Sequence, residues 1–473
     1  MKLSVLARLA CDPDPEILGL TADSRAVSPG FLFAALAGAK AAGADFIREA
    51  EEKGAAAILA GPGVISRAPL IEDDNPRRRL AEMAAQFYPG QPEIIAGVTG
   101  TNGKTSTARF AAQLWRLIGE KSASLGTLGA EAAGYSKKFQ HTTPDPVTLH
   151  ETLNELSVRA SRLAMEVSSH GLAQHRVDGV KFAAAAFTNI TQDHLDYHPD
   201  FDDYFRAKLR LFTALLPKGA PALVNADGEG ADHVATAAGV AGLKVLTTGA
   251  RGRFLKLARA RPHEEGLCLA VEHGGALYET RLALIGAFQA ENALLAAGLV
   301  IALGGEAARV LPLLEKLEGA PGRMQRVAEA GARIYVDYAH TPDAVETALA
   351  ALRPHVSGKL VAIIGAGGDR DPGKRPLMGA AASFGADIVI VTDDNPRSED
   401  PAAIRRAILE GAPEAIEIGD RGEAIAKGVA LLEAGDALLI AGKGHETGQI
   451  VGDKIVPFDD SDVARRAAQR RGA

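Results

Sequence analysis

The chain has 473 residues, 47% hydrophobic and 23% charged, which is ordinary globular usage and, at ~150 residues per domain, predicts about three domains. A net charge of −7 argues against a bulk electrostatic grip on nucleic acid, while leaving room for a local basic cleft that holds phosphates. No apolar run approaches the ~18 residues of a membrane span, and Cys11 and Cys268 cannot build a disulfide framework, so a cytoplasmic setting without membrane insertion is expected.

Leu9-Ala10-Cys11 has the look of a lipoprotein cleavage site, but Arg8 interrupts the apolar stretch and the segment is too short for a leader; Met1 to Leu9 is expected as a short helix. Phe31 to Leu36 and Ala55 to Leu59 read as buried strands. Arg77 to Tyr88 reads as an amphipathic helix, with Leu80, Met83, Ala84 and Phe87 on one face. Tyr88 to Pro92 is a breaker cluster. A strand (Ile94 to Val98), a glycine loop and a helix with Phe110, Leu114 and Ile118 in one stripe follow. Leu163 to Val167, Ala184 to Phe187, Ala222 to Val224 and Leu243 to Thr247 extend a mainly parallel α/β sheet. After a second breaker, Gly319 to Gly322, the strands Ile334 to Asp337, Leu360 to Ile364, Ile388 to Thr392 and Ala437 to Ala441 alternate with helical sequence, as in a Rossmann-like doubly wound domain. The expected organisation is α/β in three parts: a small N-terminal domain (1–90), a central ATPase-like domain (91–325) and a C-terminal domain (326–473).

Gly97-Val98-Thr99-Gly100-Thr101-Asn102-Gly103-Lys104-Thr105-Ser106 lies between strand and helix, where backbone N–H groups and a helix N-terminus favour an anion. Lys104 is placed to reach the β and γ phosphates of ATP and Thr105 to bind Mg²⁺. The loop departs from the usual phosphate-loop pattern, because Val98 stands where the first glycine is expected. Glu166-Val167-Ser168-Ser169-His170 ends a strand; Glu166 is either an Mg²⁺ ligand or a cap for the next helix. Thr188 to His198 is dense in polar groups. His194 and His198 have the i, i+4 spacing of a zinc-hydrolase pair, but the glutamate beside the first histidine is missing and Pro199 stops the helix. By composition alone, Lys208 in Tyr204-Phe205-Arg206-Ala207-Lys208 is a solvated helix lysine.

With its Thr-Gly-Thr-x-Gly-Lys-Thr loop and its Glu166-to-Val177 run (Glu-Val-Ser-Ser-His-Gly-Leu-x-Gln-His-Arg-Val), the chain resembles the Mur ligases, ATP-dependent amide-bond-forming enzymes of peptidoglycan precursor synthesis. Within them it is most similar to those that add the third residue of the stem peptide. The resemblance implies ATP contacts from Gly100, Thr101, Asn102, Gly103, Lys104, Thr105, Ser106, Asn225, Asp227, Asn292, Arg323, Asp337 and His340. It implies that Glu166, His194 and Lys208 join Lys104 in catalysis. Thr105, Glu166, His194 and Lys208 would hold Mg²⁺, with Lys208 carbamylated (N6-carboxylysine). Ser24 (in Asp23-Ser24-Arg25), Thr142, Thr143, Ser168, Gln174 and Arg176 would hold UDP-N-acetylmuramoyl-L-alanyl-D-glutamate.

Asp394-Asn395-Pro396-Arg397 follows a strand of the third region, where ligand loops gather; the same four letters at Asp74 to Arg77 read as a helix start with proline at its first position. An arginine pairs bidentately with a carboxylate and repels an ammonium. By resemblance, Arg397 goes with meso-diaminopimelate and not L-lysine, and Arg370, Asp394, Asn395, Pro396, Gly442 and Glu446 complete the pocket. A monomer is expected. The same ligation with L-lysine as the amino acid, a switch or motor ATPase, and a folylpolyglutamate-type ligase are the alternatives; the Asp23-Ser24-Arg25 segment and the Glu166-to-Val177 run argue against the last.

Overall fold

Phe31–Ala35 and Ala57–Ala60 are continuous apolar runs, and both become strands buried on the two faces of a sheet. The computed structural model describes residues 1–38, 42–193, 197–263, 265–329 and 331–472. The chain divides into two units, Met1–Thr247 with Gly298–Gly305, and Thr248–Ala297 with Glu306–Ala473.

The first unit opens with helix α1 (Leu3–Ala7) and a four-stranded parallel sheet, order β1-β2-β3-β4, of β1 (Gly19–Thr21), β2 (Phe31–Ala35), β3 (Ala57–Ala60) and β4 (Leu70–Glu72). Helix α2 (Ile47–Glu52) buries Ile47 and Ala50 on one face of this sheet. Helix α3 (Pro76–Phe87) buries Leu80, Met83 and Ala84 on the other. Asn75 caps α3 and Pro76 sits in its first turn, where a missing N–H costs nothing.

A larger sheet follows in the same unit, with strands β5 (Ile94–Thr99), β6 (Ser122–Gly126), β7 (Gly129–Ala132), β8 (Tyr135–Lys137), β9 (Arg162–Glu166), β10 (Ala184–Phe187), β11 (Pro221–Asn225) and β12 (Lys244–Gly249), in the order β12-β11-β10-β5-β9-β6-β7-β8. Pairing from β11 through β10, β5 and β9 to β6 is parallel; β6, β7 and β8 turn antiparallel. The connecting helices are α4 (Lys104–Leu117), α5 (Pro146–Ser157), α6 (Ser169–Ala173), α7 (Phe201–Arg210) and α8 (Ala231–Val240). On α4, Phe110, Leu114 and Trp115 are essentially inaccessible to water, each burial worth ~2–3 kcal/mol. With β5 central, the loop that leaves it sits at the carboxyl edge of the sheet, where open α/β sheets bind ligands.

The second unit begins with an antiparallel meander, β13 (Leu255–His263), β14 (Gly266–His273) and β15 (Ala276–Leu282), then the first part of α9 (Ala287–Ala302), whose residues from Gly298 on are counted with the first unit, and α10 (Ala307–Val310). A six-stranded sheet follows, order β16-β17-β21-β18-β19-β20, from β16 (Gln325–Glu329), β17 (Arg333–Asp337), β18 (Leu360–Ile364), β19 (Ile388–Val391), β20 (Ile416–Glu417) and β21 (Ala437–Ala441). Only β16 among them pairs antiparallel. Along β18, Leu360, Ala362 and Ile364 enter one apolar cluster and Val361 and Ile363 the other. That alternation is the strand period, and both faces are covered: one by α11 (Pro342–Leu352), α12 (Lys374–Gly385) and α13 (Pro401–Leu409), the other by α14 (Arg421–Leu431) and α15 (Asp460–Gly472). A hairpin, β22 (Gly448–Val451) and β23 (Lys454–Pro457), lies between β21 and α15. Among the described residues, no helix is long and apolar enough to cross a membrane.

Candidate active site

The loop after β5 can exist only with glycine at two points. Gly103 has φ 84° as α4 begins, a left-handed conformation costly to other residues. A Cβ on Gly100 would lie 1.9 Å from the Thr188 hydroxyl. The loop is laced to the strand end beyond β10: Asn102 N–H donates to Asn189 Oδ1 (2.9 Å), and the Thr188 hydroxyl donates to the Asn102 carbonyl (2.6 Å). Lys104 Nζ donates to the carbonyls of Gly100 (2.9 Å) and Thr101 (2.7 Å), and the Thr101 hydroxyl meets Tyr204 Oη at 2.9 Å. Ser106 is buried within α4.

Lys208, on α7, is not solvated: its Nζ is buried, donates to the Gly100 carbonyl at 2.7 Å, and lies 4.3 Å from the centre of the Tyr204 ring. Burial, and then the neighbouring Lys104 charge, hold its pKa well below the usual lysine value. The fold therefore overrides the helix-surface reading of this residue.

Glu166 ends β9 and is buried. It does not cap α6, because Ser168 does: the Ser168 hydroxyl accepts from the Gly171 N–H at 3.1 Å. Instead Glu166 Oε2 accepts from the Thr105 hydroxyl (2.9 Å) and Oε1 from the Thr127 N–H (2.9 Å). A Cβ on Gly126 would lie 2.1 Å from Oε1, so this glycine makes room for the carboxylate. A hydroxyl and a carboxylate this close are hard oxygen donors of the kind Mg²⁺ takes, and the residues present fit that ion.

From Glu166 a chain of hydroxyls runs outward. Thr127 Oγ1 meets Thr142 Oγ1 at 2.9 Å, and Thr143 Oγ1 lies 3.0 Å from the Ser168 N–H and 3.1 Å from its hydroxyl. Arg176 donates to the Thr143 carbonyl (2.6 Å) and to Gln174 Oε1 (2.8 Å). Thr142 is thus joined to Glu166 through Thr127, and Thr143 bonds the Glu166 carbonyl (3.3 Å) and carries Ser168, Arg176 and, through Arg176, Gln174. Asn225, the last residue of β11, is buried and accepts the Asp227 N–H at 3.2 Å. Ser24 sits in the N-terminal sheet region, its hydroxyl 3.4 Å from Glu49. His194 lies outside the described residues. Its would-be zinc partner His198 is packed: Nδ1 bonds Asp203 at 2.7 Å and the ring lies against His170 and Tyr204. No cluster of three or more potential metal-binding side chains occurs among the described residues.

In the second unit the Arg323 guanidinium stacks 4.5 Å from the Tyr338 ring. Asp337 accepts the N–H groups of Met324 (2.6 Å) and Ala339 (2.8 Å), and burial pushes its pKa up although Arg323 pulls the other way. His340 Nδ1 bonds the Tyr338 carbonyl at 2.7 Å. Asn292 is buried on α9.

The Asp394-to-Arg397 loop leaves β19 and is gripped by the β22–β23 hairpin. Arg397 N–H donates to the Ile450 carbonyl (3.0 Å), and Gly452 N–H to the Arg397 carbonyl (2.7 Å). Arg397 itself is left-handed, φ 51°, and its guanidinium donates to the Gly368 carbonyl at 2.7 Å, beside the loop that bears Arg370. Pro396 packs on Gly368, where a Cβ would lie 2.0 Å from the Pro396 carbonyl oxygen. Gly442 must stay glycine, since a Cβ would approach Asp394 Oδ2 to 2.5 Å.

Two residues here carry no motif signal. Lys443, wholly buried, donates to Asn395 Oδ1 (3.1 Å), Glu446 Oε2 (3.1 Å) and the Gly448 carbonyl (2.6 Å), and Asn395 Nδ2 also donates to Glu446 (2.8 Å). Arg421 forms a fully buried bidentate pair with Asp460 (2.7 Å on both arms) and donates to the Ala441 carbonyl (2.9 Å) just before Gly442. Nothing in the local sequence marks either residue.

A glycine-rich strand-to-helix loop on a mainly parallel sheet, with a buried strand-end carboxylate beside it, is the arrangement of an ATP-dependent amide-bond-forming ligase, the class to which the relatives belong. Three models of one family match in order: the Mur ligase family catalytic domain over residues 16–88, the Mur ligase middle domain over 98–300, and the Mur ligase glutamate ligase domain over 322–444. The chain belongs to the Mur ligase family. It is 52% identical over 470 residues to a UDP-N-acetylmuramoyl-L-alanyl-D-glutamate–2,6-diaminopimelate ligase of Caulobacter vibrioides, covering 97% of each chain. It is 50% identical to the protein of that name from Chelativorans sp., over 97% of this chain and 96% of that one. A solved structure of the same name is 34% identical, with a TM-score of 0.73 over 100% of this chain and 99% of that one. The MurF ligase of Thermotoga maritima, solved with ADP, shares the fold at 18% identity (TM-score 0.63, 96% of each chain).

Proposed function

We propose that this chain adds meso-2,6-diaminopimelate to UDP-N-acetylmuramoyl-L-alanyl-D-glutamate at the expense of ATP. The observation that carries the reading is the grouping of Lys104, Thr105, Glu166 and Lys208 around one loop, in a chain that spans almost the whole length of relatives bearing this name. Residues 1–90 take the uridine nucleotide, with Ser24 at its diphosphate end. Residues 91–325 take ATP, and 326–473 the amino acid.

The backbone of Gly100 to Gly103 cradles the phosphates, and Lys104 exchanges its two carbonyl contacts for the γ-phosphate. Thr105 and Glu166, with a carbamylated Lys208 and His194, would hold Mg²⁺, which when bound would offset charge on the phosphoryl group. Thr142, Thr143, Ser168, Gln174 and Arg176 fix the muramoyl dipeptide so that its free D-glutamyl carboxylate attacks the γ-phosphorus, giving an acyl phosphate and ADP. Asn225, Asp227, Asn292, Arg323, Asp337 and His340 position the nucleotide. The diaminopimelate amine then attacks the acyl carbon; phosphate leaves with the C–O bond and the amine loses a proton. No protein nucleophile takes part, so the rate comes from positioning and charge stabilisation.

Arg397 and Arg370 take the distal carboxylate of diaminopimelate. Glu446 and Asp394 take its distal ammonium, with Asn395, Pro396 and Gly442 shaping the loop. Glu446 spends Oε2 on Lys443 and Asn395, which directs its other oxygen to the ligand. The protein acts as a cytoplasmic monomer. The test is phosphate release from ATP by the purified chain: it should require the muramoyl dipeptide and diaminopimelate together, and release with either alone would remove this reading.

A further inference from the structure

Asn75 reads as a helix cap, and it is one. Its Oδ1 accepts the Arg78 N–H at 3.0 Å, which fixes the orientation of the amide and aims Nδ2 the other way. There Nδ2 meets His175 Nε2 at 3.0 Å, across 100 positions of sequence. An amide nitrogen only donates, so Nε2 accepts and His175 carries its proton on Nδ1. That proton is donated to Asp178 Oδ2 at 2.8 Å; Arg210 Nη2 lies 3.1 Å from the same Nδ1, a donor beside a donor, and directs its proton to Asp178 instead. Asp178, with its side chain 6% exposed, also accepts from Arg210 Nη2 at 2.8 Å. Burial works against its charge, but the hydrogen bonds from His175 and Arg210 outweigh it and hold the carboxyl below the usual range. Arg210 closes the network on the Leu172 carbonyl and stands two residues beyond Lys208 on α7.

His175 also stands out in its backbone. Its φ is 57°, a conformation that a residue with a Cβ holds only when its surroundings impose it. The imposed turn sits between Gln174, which ends α6 and donates to Tyr197 Oη at 3.1 Å, and Arg176, which donates to the Thr143 carbonyl at 2.6 Å. The two flanking side chains are those assigned above to the muramoyl dipeptide. The anchor that sets their turn comes from the N-terminal sheet region.

We infer that Asn75 is a positioning residue for the uridine-nucleotide substrate: through His175 and Asp178 it sets the turn that aims Gln174 and Arg176. This rests on the functional reading above. It differs from simple cohesion between α3 and the larger sheet, because it concerns one substrate and not the fold.

The test is Asn75→Ser, which keeps a capping oxygen of equal worth while being too short to reach His175. In the full chain, KM for UDP-N-acetylmuramoyl-L-alanyl-D-glutamate should rise about tenfold with kcat within about twofold, and KM for ATP and for diaminopimelate should stay put. His175→Ala should raise the same KM, and the double variant should go no further than the larger single effect. An unchanged KM for the nucleotide substrate, an equal rise in all three KM values, or a Tm lower by more than about 5 °C in Asn75→Ser would overturn the inference. A parent that turns over none of this substrate overturns the functional reading; an active parent with an insensitive Asn75→Ser overturns the positioning role alone.

Discussion

Lys104 and Lys208 direct their side-chain nitrogens at one acceptor, the carbonyl oxygen of Gly100, from 2.9 and 2.7 Å. Two ammonium groups on one buried oxygen repel each other, and burial disfavours the charge on Lys208 most. An uncharged buried amine is the species that adds to carbon dioxide. With ¹³C-bicarbonate, the parent chain should therefore show a carbamate carbon signal that Lys208→Met lacks. Lys208→Met should also lose turnover by about a hundredfold or more while keeping the parent Tm, since it deletes an amine that was costly to bury.

Glu166→Gln separates charge from shape. The amide oxygen can still accept from the Thr127 N–H, so the fold should be retained within ~1 kcal/mol in urea unfolding. Turnover should fall by about a hundredfold or more, with the Mg²⁺ concentration for half-maximal rate shifted upward.

His150 supplies a pH test outside the reaction. It lies buried on α5, its Nε2 has no partner among the described residues, and burial pushes its pKa down to about 4. Between that value and the unfolded ~6.5, the unfolded chain binds a proton that the folded chain refuses. Stability is therefore full above ~6.5 and declines as pH falls toward 4, by ~3 kcal/mol in all. His150→Leu should abolish this part of the loss when urea midpoints at pH 7 and pH 4.5 are compared with the parent.

Arg421 and Asp460 test the support beneath the amino-acid pocket. Arg421→Met leaves a buried carboxylate unpaired and should cost ~3–5 kcal/mol. Adding Asp460→Leu should restore most of it by urea unfolding. The diaminopimelate KM should stay raised in the double variant, because the Ala441 carbonyl before Gly442 has still lost its donor.

What the sequence made legible was local. The phosphate loop, the Asn75 cap and the strands β5, β10, β18 and β21 announce themselves in a few adjacent residues, because glycine geometry, capping oxygens and apolar runs act over one turn or one strand. Lys208 was misleading on composition because its partner Gly100 lies 108 positions away. Lys443 and Arg421 were silent for the same reason: their worth lies in Asn395 and Asp460, brought near only by the sheet. The β13–β14–β15 meander went unread because β13 is exposed along almost its whole length, so no inward face writes an alternation into its residues. The hairpin β22–β23, which holds Arg397, is as exposed on its second strand. Sequence placed Arg397 at a strand end; only backbone pairing explains why it stays in a left-handed turn.

The most direct measurement is ligation with diaminopimelate and L-lysine side by side, in the parent chain and in Arg397→Ala. The parent should favour diaminopimelate by about a hundredfold or more in kcat/KM, since lysine leaves the arginine pocket without its carboxylate, and Arg397→Ala should erase most of that margin. Equal use of the two amino acids by the parent, or a preference untouched by Arg397→Ala, would contradict the assignment.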